Sequence, residues 1–95
     1  MVNIYRSQEF MKNCIKKKVV VLISYIYGID SQKVKHNLEL FTKYDYSLDS
    51  LLFMARSLED FLIGQKKRIP EGTFYDDIYR EIEKKYYISD VVFNG

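Results

Sequence analysis

Apolar residues along this chain recur mostly at three- and four-residue spacings, the period of a helix that buries one face. Met11, Ile15, Val19, Leu22 and Ile26 form such a stripe between about Ser7 and Tyr27. Ser7 is placed to cap this helix and Gly28 to end it. Two features strain the assignment: Val19-Val20-Val21 is β-branched, and Lys18 winds onto the apolar side. A long stem at the margin of a stripe carries its ammonium out to water, so the helix is kept with Lys18 snorkelling.

A second segment opens at Asp30 or Ser31 and runs to about Tyr44, with Val34, Leu38 and Phe41 as a narrow stripe. The third runs from Ser47 to Gly64, and its stripe of Leu48, Leu51, Leu52, Ala55, Leu58 and Leu62 is the clearest in the chain. Phe53 faces away from it. After the loop Lys66-Lys67-Arg68-Ile69-Pro70-Glu71-Gly72, a fourth helix begins at Thr73, with Asp76 and Asp77 at its positive end. Tyr75, Ile78, Tyr79, Ile82 and Tyr86 line one of its faces, and Ser89 to Gly95 form a tail without clear period. Four amphipathic segments on short connections predict an all-α fold. The arrangement expected is an antiparallel up-down-up-down four-helix bundle with a short C-terminal tail, one domain over residues 1–95.

Composition changes this picture little. Four Gly and one Pro in 95 residues are too few for an all-β fold of many tight turns. One cysteine, Cys14, cannot make an internal disulfide. The longest uncharged apolar run, Val19 to Ile29, is about half of the ~20 residues that a bilayer span needs. It follows Lys16-Lys17-Lys18 as in a signal peptide, but Tyr25-Ile26-Tyr27 occupy the place of the small residues that cleavage requires. The expected location is therefore cytoplasmic.

The net charge of +2 is unevenly spread. Residues 1–46 carry eight Lys/Arg against four Asp/Glu (+4), and residues 47–95 carry seven against nine (−2). A front half of +4 is a weak electrostatic footprint for nucleic acid.

Candidate chemistry is sparse. Nucleophilic catalysis needs a nucleophile, a base and an orienting group within hydrogen-bond reach. The only His and the only Cys lie on different predicted helices, and Cys14 beside Ile15 is expected to be packed. His36 and Glu39 make at most two metal ligands where zinc takes three or four, so His36 is expected in solvent. The carboxylates Asp76, Asp77, Glu81 and Glu83 read as ordinary helix pairs, Asp76–Arg80 and Glu81–Lys85 at four residues, Asp77–Arg80 and Glu81–Lys84 at three. No catalytic residue, cofactor, metal or small-molecule substrate is expected.

Residues 47–86 nevertheless form a recognisable series. The Leu-rich helix Leu51-Leu52-Phe53-Met54-Ala55-Arg56-Ser57-Leu58 runs into Phe61-Leu62-Ile63, then a basic loop ending in Ile69-Pro70, then a helix with Ile78-Tyr79-Arg80-Glu81-Ile82. This series resembles the small immunity proteins of producers of pediocin-like (class IIa) bacteriocins. The resemblance covers about 40 residues well and extends weakly to Glu9-Phe10-Met11-Lys12.

It implies a cytosolic four-helix bundle, expected to be a monomer, that protects a Gram-positive producer from its own pore-forming peptide. Protection would come through binding the bacteriocin's complex with the mannose permease at the inner membrane face, and specificity would lie in the C-terminal half. A bundle spends its stripes on the core, so the residues left for a partner are Lys66, Lys67 and Arg68 in the loop, Arg80 and Lys84 on the outer face of the fourth helix, and Tyr87. Val91, Val92 and Phe93 either dock on the bundle or meet a partner. The competing reading is a small phage or plasmid regulator that binds nucleic acid through the basic N-terminal half.

Overall fold

Helices form where the apolar period is longest. The computed structural model describes residues 8–70 and 76–85. Helix α1 spans Gln8–Tyr27, α2 Gln32–Lys43 and α3 Leu48–Gly64, and residues 76–85 are helical, here α4. The described residues are all-α, with no strand. Ser7, Thr73, Tyr75, Tyr86, Tyr87 and the segment carrying Val91, Val92 and Phe93 lie outside them.

Each start and stop has a local cause. The Ser31 hydroxyl accepts a hydrogen bond from the Val34 amide at 3.2 Å, and Ser47 accepts from Ser50 at the same distance, so each satisfies a first-turn donor. Gly28 ends α1 at φ 97°, a conformation that costs a residue without Cβ almost nothing. The β-branched run stays helical because burial outweighs its small loss of propensity: Val19 is almost fully buried.

Helix α3 ends at its glycine, as expected, but the left-handed residue that closes it lies two positions further on. Gly64 is the last helical residue, and the left-handed position is taken by Lys66 at φ 58°. The Lys66 amide donates to Ile63 O and the Lys67 amide to Leu62 O, both at 2.9 Å. This pair of bonds is a Schellman closure with lysine where glycine is usual.

The core lies between α1, α3 and α4. Ile15, Val19 and Leu22 of α1 meet Leu51, Leu52, Ala55 and Leu62 of α3 and Ile78, Tyr79 and Ile82 of α4, while Val34 and Phe41 of α2 close it from the side. Helix α1 packs on both α2 and α3. Cys14 is buried, and His36 and Phe53 are exposed, as their positions predict. Leu38 departs from its expected place: it is 48% exposed, at the rim of an open groove of about 530 Å³ between α1 and α2 that Lys16, Lys17 and Phe41 also line. The stripe of α2 is thus narrowed to Val34 and Phe41, because one helix neighbour covers only one side of it.

Candidate functional site

Lys18 does not reach water. It retains 1% of its exposure, on the inner face of α1, one position before Val19. Its ammonium pairs with Asp76 of α4, lies 3.3 Å from Glu59 Oε2 of α3, and donates to the Pro70 carbonyl at 3.3 Å. The Tyr79 ring stands beside it, its centroid 5.5 Å from Nζ. The expectation of a snorkelling lysine fails because α3 and α4 bring carboxylates to the ammonium in the interior. A buried charge is tolerated when its donors are satisfied, and these are.

Glu59, 5% exposed, is the hub. Besides Lys18 it takes both guanidinium nitrogens of Arg80, at 2.6 and 3.1 Å, a bidentate fork. Arg80 also donates to Glu83 at 3.0 Å, and Arg56 approaches Glu83 at 3.9 Å. The Tyr79 hydroxyl lies 3.1 Å from Glu83 Oε2 and 3.4 Å from Glu59 Oε1, sharing its one proton between carboxylates. Three cations and three carboxylates thus balance across α1, α3 and α4.

This environment shifts two groups strongly. Burial, then the charges of Glu59 and Glu83, push the Tyr79 pKa far above its ordinary value, so the phenol stays protonated and donates. Burial opposes the charge on Arg80, but hydrogen bonds and charge from Glu59 and Glu83 outweigh it and raise its pKa. Among the described residues every buried side-chain nitrogen and oxygen has a partner, and no three metal-binding side chains gather in one place. The cluster is a closed set of mutual contacts, and it ties α4 and the end of the preceding loop to α1.

That loop displays the sequence-predicted residues. Lys66, Lys67 and Arg68 are exposed, and none pairs with a carboxylate of the described residues. They stand between two anchors. On one side the Schellman bonds hold Lys66 and Lys67 to the end of α3; on the other Ile69 packs on the core and Pro70 accepts from Lys18. An anchored loop loses less entropy when it meets a partner.

The remaining expected contact residues divide. Lys84 is exposed on α4, as expected. Arg80 does not point outward: it is turned against α3 by Glu59, because the buried carboxylate attracts the guanidinium more strongly than an exposed helix neighbour can. Asp76 likewise leaves its expected partner Arg80 for Lys18. Tyr87, Val91, Val92 and Phe93 lie outside the described residues. Sequence reasoning missed Glu59, whose signal was its place on the α3 stripe, four residues after Ala55 and three before Leu62.

No described helix is long and apolar enough to cross a membrane. No family model, curated protein or solved structure matches this chain.

Proposed function

We propose that this protein is an immunity factor against a pore-forming, pediocin-like bacteriocin, acting by binding and without catalysis. Its contact surface is the C-terminal half, centred on Lys66, Lys67 and Arg68, and its target is the bacteriocin–mannose permease complex at the inner membrane face. The observation that carries the reading is the anchored loop: three exposed cations fixed between the end of α3 and an Ile-Pro pair. The same order of Leu-rich helix, basic Ile-Pro loop and Tyr-containing helix underlies the resemblance.

The arrangement we infer is the antiparallel up-down-up-down bundle. Lys12 near the start of α1 meets Asp45 after α2 at 3.1 Å, which supports opposite directions for those two helices. Arg80 pairs with Glu59 and Glu83 with Arg56, so positions rise along α4 as they fall along α3.

The test is a killing curve. Expression in a sensitive Gram-positive strain should protect against one or a few members of a panel of pediocin-like peptides, and Lys66→Ser/Lys67→Ser/Arg68→Ser should lose that protection while the protein stays folded. No protection across a broad panel, with soluble protein present, overturns the proposal. Binding of duplex DNA that weakens steeply with salt and depends on Lys16 and Lys17 would favour the regulator reading instead. The burial of Lys18 removes one cation of that run from any such surface.

A further inference from the structure

The exposed apolar residues of this protein are not evenly distributed. Tyr25 and Tyr27 stand on the last turn of α1, each about half exposed, and Ile29 follows in the turn at 79% exposure. Ile63, also exposed, stands on the last turn of α3, three residues before the run Lys66-Lys67-Arg68. The last turn of α1 meets the loop that follows α3: Tyr25, Arg68, Ile69 and Pro70 line one shallow cleft. One end of the molecule therefore shows two tyrosines and two isoleucines beside three cations, with Asp30 in the adjoining turn and Asp60 one turn before the end of α3 as exposed carboxylates.

The chemistry of this end selects its occupant. The cleft holds about 210 Å³, below the roughly 300–1,000 Å³ of pockets that enclose a small ligand, so what is offered is a surface. Tyrosine places its ring at the boundary of hydrocarbon and water and its hydroxyl among headgroups. Isoleucine beyond it enters the acyl boundary, and lysine and arginine at the same level meet anionic lipid. A solvated protein seldom keeps such residues together without a use for them. Nothing in the interior competes for these cations, since the buried carboxylates Glu59 and Asp76 are taken by Lys18 and Arg80.

We propose that the end formed by Tyr25, Tyr27, Ile29, Ile63 and Lys66–Arg68 is a docking surface for an anionic lipid bilayer. It binds peripherally, through shallow apolar contact reinforced by charge. The inference does not depend on the immunity reading, because lipid binding is measured on vesicles with no bacteriocin or permease present.

The experiment is co-sedimentation of the purified full chain with vesicles of phosphatidylcholine, with and without about one third phosphatidylglycerol. Partitioning onto the anionic vesicles should exceed that onto neutral ones by at least about 10-fold and fall by a similar factor between about 0.05 and 0.5 M salt. Lys66→Ser/Lys67→Ser/Arg68→Ser should lower it by roughly 100- to 200-fold, on about 1 kcal/mol for each of three cations near the surface. Tyr27→Ser/Ile29→Ser should weaken it while leaving the salt dependence, and Leu38→Ser/Phe53→Ser, which removes exposed apolar residues elsewhere, should change nothing.

Far-UV circular dichroism checks that each variant is folded. Equal partitioning onto both vesicle types overturns the proposal, as does a loss that follows Lys16→Ser/Lys17→Ser and spares the loop variant. Capture by duplex DNA as tight as by anionic vesicles, at equal salt, would assign the surface to nucleic acid and likewise overturn it.

Discussion

Lys18→Met separates a buried ammonium from a snorkelling one. Methionine keeps much of the stem's length and packing but removes the charge. Glu59 would keep the fork of Arg80, so the group left without a described partner is Asp76, 5% exposed, together with the Pro70 carbonyl. Removing one member of a buried pair costs about 3–5 kcal/mol, a large share of the roughly 5–15 kcal/mol that holds a domain together. A lysine paired at the surface would cost at most about 1 kcal/mol.

The assay is urea unfolding followed by far-UV circular dichroism. With a slope of about 1.5–2 kcal/mol/M, the midpoint should fall by about 2 M. The double variant Lys18→Met/Asp76→Leu should recover at least about 2 kcal/mol relative to the sum of the single changes, because an apolar pair leaves no stranded charge. A loss below about 1 kcal/mol in Lys18→Met, or additive effects in the double variant, would refute the buried cluster.

Four further outcomes follow from the structure. At the end of α3 the glycine and the left-handed residue are out of step. Lys66→Gly should raise stability by about 0.5–1 kcal/mol in thermal unfolding while weakening anionic-vesicle binding, since it relieves φ 58° and removes a charge. Gly64→Ala should also stabilise, by about 0.5 kcal/mol, because its backbone is helical and nothing lies within 4 Å of the added Cβ.

The raised pKa of Tyr79 predicts a base-sensitive fold. Its contribution is complete below the ordinary tyrosine value of 10.0 and is lost above it, as the unfolded chain ionises while the folded phenol does not. Urea titrations between pH 9 and 11 should show wild-type stability falling by about 1.4 kcal/mol per pH unit more steeply than Tyr79→Phe above pH 10. Leu51→Ala should cost about 2–5 kcal/mol by calorimetry, because the side chain is fully buried between helices.

Local rules carried the secondary structure. The stripes of α1 and α3, the caps Ser31 and Ser47, the stop at Gly28 and the exposed loop Lys66–Arg68 were all legible, because each depends on a few neighbours along the chain. The end of α3 at Gly64 was legible as well, but not its closure, since Lys66 accepts a conformation that propensity assigns to glycine once the Schellman bonds hold it.

The sequence by itself determined that this chain is helical, which faces are apolar, and where its basic loop falls, because a period of 3.6 is written into residue order. Only the tertiary structure decided the fate of the charges. Helical spacing paired Asp76 with Arg80 and sent Lys18 to water; packing joined Asp76 to Lys18 and Arg80 to Glu59, residues 58 and 21 positions apart. A charge chooses its partner by distance in space and by the local dielectric, and neither exists until α1, α3 and α4 have met.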